Sequence, residues 1–85
     1  MGNLKMSKNN INRKEKLKMW KGNLGQLEEQ LKLILARKGA AAQEGDLSEN
    51  AAYSLAIEEE TTCRVRIEAV KKIIAELENE RKGKA

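Results

Sequence analysis

The apolar residues of this 85-residue chain fall into two regular series separated by a polar stretch. In the first, Leu17, Trp20, Leu24, Leu27, Leu31 and Ile34 step by 3, 4, 3, 4 and 3, the spacing of a heptad seam. The same phase continues through Lys38 to Ala41. In the second, Cys63, Ile67, Val70, Ile74 and Leu77 step by 4, 3, 4 and 3. Traced backward, that phase meets Glu60, Ala56 and Tyr53, so the second seam is weaker around residues 60–62 than around Ile67. Both series predict amphipathic helices.

Local chemistry sets the expected boundaries. Ala40, Ala41 and Ala42 favour helix, and Gly45 offers the positive φ that ends one. The first helix is therefore expected over about 13–43, the tip over 44–46 and the second helix over about 47–82. Asp46 reads as the N-cap of that second helix, with Glu49 three residues on completing a capping box. Both carboxylates also complement the positive end of the helix dipole. Gly22 and Gly25 each cost about 1 kcal/mol against Ala, which makes the first helix loosest there or, in an alternative reading, breaks it before Leu24. Residues 1–12 hold four Asn and two Lys without sustained periodicity. They are expected to form a disordered basic tail, either solvated or an arm toward nucleic acid or an acidic protein face.

Two adjoining seams and a tight turn make an all-α fold, an antiparallel two-helix coiled-coil hairpin with an acidic tip loop. Folding about Gly45 pairs positions whose numbers sum to about 91, which sets Leu24 by Ile67, Trp20 by Val70 and Leu17 by Ile74. Helices of about 30 residues rising 1.5 Å each give a rod about 45 Å long. That is the shape of a probe rather than a container.

Composition supports this picture and removes others. Charged residues make up 35% of the chain, Phe and Pro are absent, and Trp20 and Tyr53 are the only aromatics, a coiled-coil composition. An enzyme with its own solvent-excluding pocket is not expected. With Cys63 the sole cysteine and no histidine, neither an intrachain disulfide nor a Cys/His zinc site can form. Cys63 reads as a small seam residue rather than a redox sensor. The first residues lack the apolar core of a signal peptide, and the longest apolar run, residues 33–36, is too short for a bilayer, so a cytoplasmic location is expected.

Charge is distributed unevenly. Residues 1–21 carry seven Lys/Arg against Glu15 alone, and residues 63–85 carry seven against four acids. The centre is acidic: no basic residue separates Lys38 from Arg64, an interval that holds Glu44, Asp46, Glu49, Glu58, Glu59 and Glu60. A hairpin built this way has an acidic tip and a basic open end.

Asp46 and Glu49 present two carboxylates three residues apart on one turn, a partial donor set for Mg²⁺ that another molecule would have to complete. The surrounding run Glu44, Gly45, Asp46, Leu47, Ser48, Glu49, Asn50, Ala51, Ala52, Tyr53, with Cys63 and Arg66-Ile67-Glu68 following, resembles the coiled-coil domain of the GreA/GreB transcript cleavage factors. The similarity covers about residues 34–77 and fades upstream. It implies a transcription elongation factor that inserts its tip into the secondary channel of bacterial RNA polymerase. There the tip acids, matched here by Asp46 and Glu49, help hold a catalytic Mg²⁺ and its attacking water while the polymerase cleaves the 3′ end of a backtracked transcript. Such a protein is no enzyme itself, and it binds no Mg²⁺ stably alone. Gly45, Leu47, Ser48, Asn50 and Tyr53 match tip positions that orient the loop or contact the polymerase.

Two departures from the family pattern accompany the match. Gre factors carry a β-rich globular domain after the coiled coil, and none is expected before Ala85. Family members often have arginines near the tip, and Ala42 and Ile57 stand at the aligned positions. An alternative is thus a regulator that occupies the channel and competes with full-length factors without cleavage. Another is a plain coiled-coil interaction module. In each reading the chain is expected to be a monomer or weak homodimer. Direct DNA binding through the basic ends fits least, because the basic residues of the second helix are interleaved with Glu and lack aromatic stacking partners.

Overall fold

The computed structural model of the protein describes residues 12–83. Helix α1 spans Arg13–Ala42 and helix α2 spans Ala51–Gly83, with a single 3₁₀ turn at Leu47–Glu49 between them. No strand occurs among the described residues. The expected tail lies outside them, apart from Asn12. That residue caps α1: its Oδ1 accepts from the Glu15 amide at 2.8 Å while Glu15 Oε1 accepts from the Asn12 amide at 3.3 Å. The chain's reciprocal capping box is therefore here, at the open end of the hairpin.

α1 runs unbroken through Gly22 and Gly25, so the break before Leu24 is not realised. The two helices pack along their length as an antiparallel pair. Both seams face inward as their spacing requires. Leu27, Ile34, Cys63, Ile67, Val70 and Ile74 form the buried cluster, and Leu17, Trp20, Leu24 and Leu31 pack against it half-buried. Ala41 and Ala56 close the seam toward the tip and Leu77 toward the open end. The Cys63 thiol donates to the Leu27 carbonyl at 3.3 Å, a pair whose numbers sum to 90, whereas the seam pair Lys38 and Glu60 sums to 98, above the expected 91. Each buried Leu or Ile contributes roughly 1.5–3 kcal/mol of transfer free energy, so these middle layers hold the hairpin closed.

One inward layer is polar. Lys38 and Glu60 occupy seam positions with side chains 32% and 16% exposed, and Glu60 Oε1 accepts from Lys38 Nζ at 2.8 Å. Its other oxygen accepts from Arg64 Nε at 2.8 Å. The hydrogen bond from Lys38, then that from Arg64, holds the Glu60 carboxyl below the usual glutamate range despite desolvation. The same bond raises the Lys38 ammonium above its ordinary value. Around this layer, Arg37 pairs with Glu59 at 3.0 Å and Lys21 with Glu78 at 3.4 Å. These outer pairs are largely solvated, and exposed ion pairs of this kind stabilise little.

Truncating the centre of the seam has a direct consequence. Ile67→Ala lowers the unfolding free energy by about 2–5 kcal/mol in urea denaturation, whereas Val65→Ala, on the exposed face, changes it by less than about 1 kcal/mol.

The polar layer predicts the pH profile. Glu60 titrates lower in the folded state, so its stabilisation is present above the ordinary glutamate pKa and is lost as pH falls through the lowered value. Lys38 titrates higher, so its share is present below the ordinary lysine pKa and is lost as pH rises through the raised value. The melting temperature followed by circular dichroism therefore has a plateau between these limits, and Glu60→Gln shrinks both flanking declines.

Candidate functional site

The tip is built where α1 runs out of helix. Gln43 caps its end, with the Gln43 amide donating to the Ala40 carbonyl at 3.2 Å and the Glu44 amide to the Ala41 carbonyl at 3.1 Å. Gly45 then takes φ +108°, the only positive φ among the described residues, and redirects the chain. A side chain at this position would be strained whatever space surrounds it.

Asp46 does not start α2. It caps the 3₁₀ turn, its Oδ1 accepting from both the amide and the hydroxyl of Ser48 at 3.0 and 2.8 Å. The capping box expected between Asp46 and Glu49 is absent: the Glu49 amide donates to the Asp46 backbone carbonyl at 3.3 Å instead. Glu49 is exposed, and its carboxylate has no hydrogen-bond partner among the described residues. The two Ser48 bonds, the hydroxyl first, hold the Asp46 carboxyl below the usual aspartate range. The tip therefore displays two solvent-facing carboxylates, and that of Asp46 resists protonation.

The residue that starts α2 is Asn50, four positions later than the spacing implied. Its Oδ1 accepts from the Tyr53 amide at 3.0 Å, the N-cap bond, while its Nδ2 donates to the Ala41 carbonyl at 2.8 Å. One half-buried side chain thus satisfies an orphan amide of α2 and a carbonyl at the end of α1. The shift of the helix start follows from this. Asn50 is as good a cap as Asp46, and only Asn50 reaches a second acceptor across the hairpin. Sequence reasoning placed Asn50 at the tip but missed its bridge, for which the local signal was an Asx residue three before Tyr53.

The expected site residues are thus brought together, in different roles. Gly45 turns the chain, Asp46 and Ser48 lock the 3₁₀ turn, and Leu47 and Glu49 are exposed on it. Asn50 ties the turn to both helices and Tyr53 is half-buried in the first turn of α2. Among the described residues, no three Asp, Glu, Cys or His side chains gather into a cluster able to hold a metal alone. Two hard carboxylate oxygen donors do fit a share in a Mg²⁺ site completed by another molecule.

A hairpin of two long helices joined by a turn with two exposed carboxylates defines a class, the two-helix coiled-coil hairpins with an acidic tip. The family model described as transcription elongation factor, N-terminal, which represents the GreA/GreB coiled coil, matches residues 13–78. The chain belongs to that family. Searches of curated proteins and of solved structures return no match. Among the described residues, no helix is long and apolar enough to cross a membrane.

Asn50→Ala removes both bonds of the bridge. It is expected to lower stability by about 1–2 kcal/mol and to speed hydrogen exchange selectively at the amides of residues 51–53, leaving those around Ile67 as slow as before.

Proposed function

We propose that this hairpin acts on bacterial RNA polymerase in the cytoplasm, entering the secondary channel tip first and assisting Mg²⁺-dependent cleavage of backtracked RNA. The observation that carries the reading is the tip itself: two exposed carboxylates on a 3₁₀ turn, at the end of a rod whose family match covers residues 13–78. Two packed helices of 30 and 33 residues make a long, narrow body, a shape suited to a deep channel.

In this reading the chain is no enzyme, and the polymerase supplies the catalytic centre. Bound Mg²⁺ would act there as a Lewis acid that polarises phosphoryl oxygen and activates water. Asp46 brings a carboxylate that Ser48 keeps ionised and oriented, leaving Oδ2 free to face the centre. Glu49 brings a second charge from the same turn, unencumbered by intramolecular hydrogen bonds. Asn50 positions that turn on the rod, and Leu47 offers an exposed apolar contact to the channel wall.

One observation favours a second reading. Ala42 and Ile57, at the positions where family members often carry arginine, are both exposed, so the flank beside the tip lacks cations to meet RNA. A hairpin of this kind fills the channel and excludes full-length factors without promoting cleavage.

A cleavage assay on a backtracked bacterial elongation complex with Mg²⁺ tests both. Wild-type protein is expected to shorten the transcript, and Asp46→Ala with Glu49→Ala to reduce cleavage about 100-fold or more while circular dichroism remains helical. Undiminished cleavage by the double variant rules out the acid-dependent mechanism. Wild-type protein that fails to cleave yet suppresses cleavage by an added full-length Gre factor establishes the competitor.

A further inference from the structure

The hairpin has two unlike flanks. On one side of the seam the heptad phase places Lys18, Lys21 and Lys32 of α1 with Arg64, Lys71 and Glu78 of α2. On the other, α1 presents Met19, Asn23, Gln26, Gln30 and Leu33 in succession, with no charge among them in a chain that is 35% charged. Met19 is 60% exposed and Leu33 63%, and from α2 Leu55 is 56% exposed. Leu33 and Leu55 line a common groove of about 430 Å³. An exposed groove with apolar side chains in its walls and charges set among them marks a contact.

The charges beside the groove identify what it contacts. Arg37 and Glu59 satisfy each other at 3.0 Å. Glu58 and Arg66 also line the groove, and neither forms an ion pair among the described residues. They lie four residues either side of Thr62, itself on the groove wall. A two-fold axis through Thr62 sets Glu58 of one copy beside Arg66 of the other, twice over, as an isologous contact demands. It also sets Leu55 against Ala69.

The long-range field agrees. Residues 22–62, the half with the tip, carry three basic residues against eight acids, while both ends carry an excess of Lys and Arg. An antiparallel pair lays each acidic tip beside the other copy's basic open end; a parallel pair would set like against like. Pairing also gives the open groove a second wall, turning two helices into a four-helix bundle.

We propose that this grooved flank is a self-association surface, on which two copies of the chain pair antiparallel about a two-fold axis at Thr62. The inference rests on the flank and the charge pattern and stands apart from the polymerase reading. Its consequence for that reading is that each tip lies against a second hairpin in the pair, so self-association and channel entry exclude each other.

Sedimentation equilibrium of the full chain from about 10 µM to about 1 mM at low salt tests it, a range that reaches even weak specific pairing. The mass is expected to rise from 9.6 kDa toward twice that value. Glu58→Arg and Arg66→Glu each weaken association about tenfold or more through like-charge contact, and the two together restore it. Circular dichroism on each variant separates lost pairing from lost folding. A wild-type chain that stays monomeric at 1 mM overturns the proposal, as does association that neither single variant weakens. If the monomeric chain binds polymerase and Leu55→Gln abolishes that binding, the flank belongs to the polymerase and the proposal also falls.

Discussion

Two helices have only each other to bury against, and that constraint governs this molecule. Each can hide one narrow stripe, so the core is a single line of side chains from Leu17 to Ala41 on α1 and from Tyr53 to Leu77 on α2. Even on that line, Leu17, Trp20, Leu24 and Leu31 stay half-exposed, because no third layer covers the seam. Every other feature, including the placing of the tip acids, depends on this line being closed in one register.

What selects the register is the layer that is not apolar. Aliphatic layers slide past one another at modest cost, since Leu packs tolerably against Ile or Val. Lys38 and Glu60 do not: a shift takes Lys38 away from a half-buried carboxylate and leaves it only Arg64 of its own helix. Polar residues at heptad interior positions often serve this purpose, exchanging some stability for a unique alignment. Here the layer lies between the apolar centre and the tip, where misalignment would displace Asp46 and Glu49 most directly.

The sequence made the stem legible because heptad spacing is the direct imprint of the burial constraint. Every seam position from Leu17 to Ala41 and from Tyr53 to Leu77 is buried or half-buried as its phase required. The tip was legible in content but not in construction. Asn12, Asp46 and Asn50 all carry cap signals, two of them with Glu three residues on, and spacing alone cannot rank them. The ranking is decided by the Ala41 carbonyl, nine residues away in sequence and adjacent only after folding. The capping box formed instead at Asn12 and Glu15, which start the first helix, while the acids at the tip are exposed. A Mg²⁺ role for them was an expectation of the family resemblance, since two carboxylates alone make an incomplete donor set.

The strongest seam layers lie far from the turn. Leu27 and Cys63 are separated by 36 residues, and Ile67, Val70 and Ile74 lie farther still toward the open end, whereas the turn is flanked by Ala41 and Ala56. Closing the hairpin therefore incurs the loop entropy of a long intervening segment before its best contacts form, and that cost grows only logarithmically with segment length. Residues added to or replaced in the tip change the closure entropy by tenths of a kcal/mol, while the contacts that hold the stem are untouched. Outside Gly45 and Asn50, the architecture decouples foldability from tip chemistry, so the rest of the loop is free to diversify on a stem that folds the same way each time.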